Sequence, residues 1–581
     1  MRFVREPAEA GEHELRPGLR AETTVRRTAT SIVLALIALA ALRQPAEGST
    51  VEQGAMRFKV TDRVLAHVDD RLFGQFMERP SWGEIGVEGA VVSDAGELQP
   101  KVAALLKEMK ISIVRFPGGT DADYIDWQDM VDNVPGRQGS RPITTGHTGQ
   151  QVTNRFGYDE FLRLSERLGW QDIIVVNLGD ALLGRKPVRD AALHAAGLVA
   201  YCNAPVGAPL PQGMPDWPSV RAANGRPKPY GVKYVQLGNE TWAFRKKMDE
   251  LYPGRRAEVY VESVVEYERA IHAVDPAAVL LMDYDEAATP LLRERLGDRI
   301  SYVCTHFYVP WGIRSVKKDG VEVPLENLTA DDIWYTWIAT PVLDESGQSV
   351  LRADAFAAAK KLGYKVAVTE WNWNGGWWGH GSAGMALDSD LARGLGAAGI
   401  LHGLMRRADV TEIGTQSMLV GIGWNIAAIS ADRNGVAPAR MRPSGLVTMM
   451  YSQHHGDRLM AMESMGVPCY RQPFEMGGIK PAEKVAMVDA LATASEKAAF
   501  LHAINRSFDK PMRLALDLTA LGPMAESGKM YVIEGRLEGE SDVPPAEQLG
   551  WITEHDVPVR QGVASAELPP RSVAVIEVAR K

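Results

Sequence analysis

The sequence has too little cysteine for a disulfide framework: Cys202, Cys304 and Cys469 are the only three in 581 residues, and they lie far apart. They are expected to be buried thiols. No cluster of His, Cys or Asp shows metal-ligand spacing, so neither a metal nor another cofactor is expected. Positive charge is not in excess either. The 73 acidic and 64 basic residues are spread along the chain for a formal net charge of −9, and no basic stripe is present to track phosphates. Nucleic acid is therefore not an expected partner. Internal repeats, low-complexity tracts and a Pro-rich interdomain linker are absent as well.

Long apolar runs are scarce. One stretch, Thr28 to Leu42, follows Arg26-Arg27 and contains the small-residue site Ala38-Leu39-Ala40, which is the form of a secretory signal. It falls short of the ~20 residues that cross a bilayer, so a stable membrane association is not expected. Residues 1–48 are accordingly expected to be a signal peptide or leader, and the mature protein to be secreted or periplasmic. The twin arginines lack the Phe-Leu-Lys pattern that would follow in a twin-arginine signal.

A chain of this length, 45% hydrophobic and 24% charged, can bury a full core and carry a second one, since single cores rarely grow past ~300 residues. From about residue 70 to 430, short β-branched runs alternate with helical patterns, as in repeated βα units around a parallel sheet. The strand candidates are Leu72 to Phe76, Ile111 to Phe116, Asp172 to Leu178, Lys233 to Leu237, Val279 to Met282, Ile300 to Phe307 and Lys365 to Thr369, with an eighth near Val410 to Leu419. This is the pattern of an α/β protein, a (β/α)8 barrel over residues 56–455. Beyond it, runs such as Lys529 to Glu534 and Ser572 to Val578 alternate apolar and polar residues between Gly, Pro and Asp turns, predicting a C-terminal antiparallel β-sandwich over 456–581. Met56 to Val64, ahead of the first barrel strand, is a candidate extra strand of that sandwich. The Pro/Gly-rich stretch Ala204 to Gly231 is long enough for a barrel insertion.

Active sites of such barrels form at the C-terminal ends of the strands. Two glutamates stand there: Glu240 closes the fourth run in Gly238-Asn239-Glu240, and Glu370 closes the seventh in Thr369-Glu370-Trp371-Asn372. Either alone reads as a helix start or a surface ion pair. Together, facing each other across a barrel mouth, they can flank a glycosidic bond, one carboxyl protonating the leaving oxygen and the other meeting the sugar carbon. Asn239 is placed to bond the sugar's 2-hydroxyl.

The series Phe73-Gly74-Gln75-Phe76-Met77-Glu78, Arg115-Phe116-Pro117-Gly118-Gly119, Val176-Asn177-Leu178-Gly179, Tyr201-Cys202-Asn203 and Gly238-Asn239-Glu240 resembles the α-L-arabinofuranosidases of glycoside hydrolase family 51, within the large barrel clan of retaining glycosidases. The resemblance runs over about residues 60 to 375 and resumes at Ala503 to Ser507 and Leu568 to Ser572. It implies a retaining hydrolase of carbohydrate, with Glu240 as acid/base and Glu370 as nucleophile. It further implies that Glu78 and Asn239 bond sugar hydroxyls, that Asn177, His306 and Tyr308 shape the same pocket, and that Tyr308 or His306 orients the nucleophile. Arg115 is expected to buttress carboxylates, and Gly118 and Gly119 to turn the backbone.

Two stretches depart from that pattern. Thr241-Trp242-Ala243 stands where the family tends to show Met and Gly, and Thr120-Asp121-Ala122-Asp123 where it tends to show an aromatic. The run from Trp371 through Trp377 and Trp378 is also unusually aromatic, and Trp371 is a candidate sugar-stacking residue of outer subsites. These departures bear on the sugar, leaving open a xylosidase, a glucosidase or an endo-glycanase on the same barrel. A non-catalytic glycan-binding protein is the reading from a different class, and it has no need of both glutamates. The sequence does not set the oligomeric state.

Overall fold

The computed structural model describes residues 55–79, 86–93, 96–309, 315–339, 353–373, 390–422, 426–433, 438–476, 479–534 and 552–581. The leader segment and the Trp377-Trp378 pair lie outside the described residues. Eight strands, Gly74–Phe76, Ile113–Phe116, Gln171–Val176, Tyr234–Leu237, Val279–Asp283, Ile300–Val309, Lys365–Trp373 and Thr411–Ser417, pair in chain order and close into a barrel. Every neighbouring pair is parallel, and the eighth strand closes on the first through Thr415 to Ser417 and Gly74 to Phe76. The runs named from sequence are the strands observed, including the eighth.

Local rules account for the helices between them. In Tyr158–Leu168, the Glu160 carboxylate accepts the Gly157 N–H at 2.8 Å, satisfying an otherwise orphaned donor at the helix start, and Gly169 stops the helix at φ 75°. The apolar positions recur every three or four residues, so Phe161 reaches the barrel and stacks on Phe116 of the second strand, centroids 4.5 Å apart. The Ala204–Gly231 stretch carries its own short helix, Trp217–Ala223, before the fourth strand.

Strand alternation builds the barrel interior in layers. The lower layer is a cluster that includes Ile113, Ile173, Tyr234, Leu281, Cys304, Ala367 and Ile413. Two residues further along their strands stand Arg115, Gln236, Asp283, His306 and Thr369, all buried. The floor of the site is thus polar, held within the barrel rather than on loops.

Eight of the strands from Arg458 onward, with one strand from the start of the described chain, form the β-sandwich, whose hydrogen bonds run through nine strands in one closed circuit. Met56–His67 belongs to it, pairing antiparallel with Arg458–Met465 and parallel with Met512–Asp517. Barrel and sandwich lie within a single unit, Glu52–Lys581. Among the described residues no helix is long and apolar enough to cross a membrane. Cys202 and Cys304 are buried as expected. Cys469 is not: it lies exposed in the strand Cys469–Gln472, so one of the three thiols faces solvent.

Barrel and sandwich meet across a buried ionic cluster. Asp489 of the sandwich accepts from Arg506 at 3.0 Å and from Arg406, and His402 of the seventh barrel helix, Asp390–Met405, lies 3.3 Å away. Burial opposes ionisation of Asp489, but the charges of Arg406, His402 and Arg506 overcome it and hold the carboxyl well below the ordinary range. Stability from this group is present above the unfolded carboxylate value of ~3.9 and is lost as pH falls through the lower folded value. Asp489→Asn leaves the buried Arg506 and the half-buried Arg406 without their anion and is expected to cost about 3–5 kcal/mol, read as a lowered thermal midpoint at pH 7. An unchanged midpoint would show that the cluster adds nothing to the joint.

Candidate active site

Glu370 reaches the barrel mouth because of a bulge. Val368 pairs with Thr305 of the sixth strand, yet Glu370 already pairs with His306, so two residues of the seventh strand oppose one of its neighbour. Strict alternation would turn Glu370 outward after the inward Thr369. The extra residue resets the phase, and Glu370 faces the axis. There its Oε1 accepts from Arg115 Nη1 at 2.8 Å and its Oε2 from the Tyr308 hydroxyl at 2.8 Å. Arg115 is fully buried, donates also to Gln236 at 2.7 Å and to Asn239 Oδ1 at 2.5 Å, and lies over the Phe76 ring.

Glu240 arrives on a strained turn. Gly238 has φ 75°, and Glu240 itself sits at φ 49°, ψ 40°, a left-handed conformation that costs a non-glycine residue ~1–2 kcal/mol. Two buried carboxylates take the flanking backbone donors: Asp123 accepts the Asn239 N–H at 2.8 Å and Asp283 the Thr241 N–H at 2.7 Å. Burial raises both carboxyls, Asp123 to about 6 and Asp283 to about 7. Sequence reasoning missed these two. Asp283 directly follows the apolar run Val279 to Met282, so the same end-of-strand rule that found the glutamates was available for it.

The other expected residues separate into those that converge and those that do not. His306 Nδ1 lies 3.0 Å from Glu240 Oε1 and 3.5 Å from Glu370 Oε2, while its Nε2 meets Thr369 Oγ1 at 3.1 Å. The imidazole therefore bridges the two glutamates. Tyr308 is the residue that hydrogen-bonds Glu370, and its oxygen is also 2.7 Å from Ser417 Oγ. Glu78 is buried beside them, but Arg79 pairs with Asp121 at 2.9 Å and Arg115 with Glu370, so neither arginine takes Glu78 as an ion-pair partner. Burial, followed by the charge of Glu370, pushes the Glu78 carboxyl well above its ordinary range. Its Oε2 makes no hydrogen bond among the described residues, and neither does the buried Asn239 Nδ2. Gly119, at φ 65°, makes room for Glu78: a Cβ there would lie 1.8 Å from Glu78 Oε1. Asn177 ends the third strand with its Oδ1 accepting the Asp180 N–H at 2.9 Å, so its side chain caps the following turn.

Trp371 is placed elsewhere than the sequence suggests. The bulge that turns Glu370 inward turns Trp371 outward, into the core between barrel and helices, where it is 0% exposed. Trp373 follows it, packed on Gly396 of the seventh barrel helix. Neither offers a face to a sugar. Trp371→Ala is expected to destabilise the protein by about 3–5 kcal/mol with KM little changed. A raised KM at unaltered thermal midpoint would return Trp371 to the substrate.

Donor atoms of Glu240, His306 and Glu370 all lie within 4.8 Å of one another, the one such group among the described residues. The Arg115 guanidinium already supplies positive charge to Glu370 at 2.8 Å, where a cation would have to compete with it. The glutamates differ in surroundings: the Glu370 side chain is 8% exposed and ion-paired, that of Glu240 34% exposed. A buried, paired anion facing a more open carboxyl suits a nucleophile and a proton donor.

The chain is similar to several known proteins. Residues 105–310 match the family described as the alpha-L-arabinofuranosidase 1 domain. The probable alpha-L-arabinofuranosidase C of Aspergillus terreus is 33% identical over 215 residues, 36% of this chain and 37% of that protein. The chain thus spans little more than a third of the length of such curated relatives. An intracellular exo-alpha-L-arabinofuranosidase of Bacteroides ovatus is 22% identical over 88% of this chain and 93% of its own. The fold is shared with solved structures: the alpha-L-arabinofuranosidase of Thermotoga maritima in complex with arabinose has a TM-score of 0.66 at 22% identity, covering 90% of this chain and 100% of that one. The family 51 arabinofuranosidase of Xanthomonas axonopodis pv. citri has 0.67 at 20%, with the same coverage.

Proposed function

We propose that this chain, whose residues 105–310 match the α-L-arabinofuranosidase domain family, is a retaining glycoside hydrolase that releases α-L-arabinofuranosyl units from polysaccharide side chains or oligosaccharides. The observation that carries the reading is the glutamate pair, with a carboxylate oxygen of Glu240 and one of Glu370 within 4.8 Å. Oxygens this close suit double displacement, in which one carboxylate attacks the sugar directly and no water has to fit between the two groups.

Glu370, paired with Arg115 and oriented by Tyr308, attacks the anomeric carbon while Glu240 gives its proton to the leaving oxygen. Glu240, now a carboxylate, then takes a proton from the water that attacks the glycosyl-enzyme, and Glu370 leaves as it began. Arg115 couples this chemistry to binding. It fixes the Asn239 oxygen, which leaves the amide's N–H donors for the sugar's 2-hydroxyl. A hydroxyl at that position and another at Glu78 Oε2 satisfy two buried polar atoms, each costing ~1–3 kcal/mol when unpaired. A hydroxyl-rich ring suits this pocket better than an apolar ligand.

The test is a panel of p-nitrophenyl glycosides led by α-L-arabinofuranoside, run on wild type and Glu370→Gln. Arabinofuranoside cleavage lost in the variant supports the reading in full. Cleavage of another glycoside, again lost in the variant, keeps the mechanism and discards the sugar. Binding without hydrolysis across the panel and on polymers overturns catalysis. Export is proposed on the Thr28 to Leu42 segment, and N-terminal sequencing of the mature protein checks it.

A further inference from the structure

We infer that Asp283 and Asp123 are positioning residues for the acid/base, two buried carboxylates that grip the backbone on either side of Glu240 and set where its carboxyl points. The inference rests on the retaining-glycosidase reading of the site.

A lone residue in the left-handed region stays there only when its surroundings over-determine it, and Glu240 carries no glycine's freedom. Beside the His306 contact to its carboxyl, two hydrogen bonds to carboxylates fix the backbone around it, from Asn239 N–H to Asp123 Oδ2 at 2.8 Å and from Thr241 N–H to Asp283 Oδ2 at 2.7 Å. Each is in the range of charge-assisted bonds. The anchors come from opposite sides. Asp123 Oδ1 accepts the Leu178 and Gly179 N–H groups at 2.7 and 2.8 Å, tying the turn to the end of the third strand. Asp283 ends the fifth strand, and the Tyr260 hydroxyl holds its carbonyl at 3.1 Å. The fourth strand's turn is therefore clamped to both neighbouring strands, and the clamp acts on Glu240 through main-chain atoms. The second Asp283 oxygen is buried without a hydrogen bond among the described residues.

Loss of the clamp lets Glu240 drift, which harms proton transfer more than binding or nucleophilic attack. A displacement of about 1 Å in a reacting group costs roughly 100-fold in rate. The experiment measures kcat/KM on a phenyl glycoside, whose leaving group needs a proton, and on its dinitrophenyl counterpart, whose leaving group does not. Glu240→Gln sets the signature of a lost acid: a large fall on the first substrate and little on the second. Asp283→Ala is expected to show the same signature at about 100-fold, with azide, which needs no general base, restoring turnover of the glycosyl-enzyme. Asp283→Asn and Asp123→Asn keep an oxygen acceptor and are expected to lose less than roughly 10-fold, confined to the phenyl substrate. They carry the test if the alanine variant does not fold. Equal losses on both substrates, or none, overturn the clamp while Glu240→Gln still shows its signature. If Glu240→Gln shows no such signature, the mechanism falls and the clamp with it.

Discussion

Glu370→Gln is expected to lower turnover by about 10⁴-fold or more while the protein still folds. Glutamine matches the shape of the side chain, so its oxygen can accept from Arg115 and its amide can face the Tyr308 oxygen, which rotates to receive it. What is removed is the negative charge that forms the bond to the anomeric carbon. Arg115 loses an anion but keeps Gln236 and Asn239 as acceptors, so the thermal midpoint drops without collapse. The measurement is kcat on a glycoside that the wild type cleaves, with circular dichroism to show the fold. Mass spectrometry of the wild type with a slow substrate should place one glycosyl unit on the peptide carrying Glu370. A near-normal rate in the variant, or the adduct on another residue, would sink the assignment.

Arg115→Lys is expected to be nearly as damaging, which separates a positioning fork from a simple positive charge. The guanidinium spans three acceptors at once, Glu370, Gln236 and Asn239, and lies flat against Phe76. A lysine ammonium is a point charge without that planar geometry and strands at least one buried acceptor. Breaking a buried pair of this kind costs about 3–5 kcal/mol, and a nucleophile displaced by about 1 Å loses roughly 100-fold in kcat/KM. Both numbers are accessible from one preparation, by thermal unfolding and by steady-state kinetics. Wild-type kinetics in the lysine variant would reduce Arg115 to a counter-charge.

Much of this was legible in the chain because its signals are local. β-branched runs bounded by helical patterns locate the strands, and eight in parallel order leave few closed arrangements. Polar residues just past those runs locate Glu240 and Glu370 at the mouth. The spacing of the fourth and seventh runs sets them across from each other.

Other features depend on contacts that no local pattern carries. Whether Glu370 or Trp371 faces the axis is decided by one extra residue in the register against the sixth strand, and no Gly or Pro marks that bulge in the sequence. That single shift brings Glu370 to the axis and takes Trp371 away from it. Cys469 reads as one more apolar residue, yet it lies exposed in a short two-stranded sheet. Asp283 carries the same end-of-strand signal as the glutamates, but neither it nor Asp123 shows its role until the fourth turn is folded between them. By itself, then, the sequence determined the barrel, its strand order and the two carboxylates, because side-chain periodicity and strand ends are properties of neighbouring residues. Only the tertiary structure decided which way each side chain faces past the bulge, which polar groups are buried together and what holds the acid in place, because those follow from pairings between segments far apart in the chain.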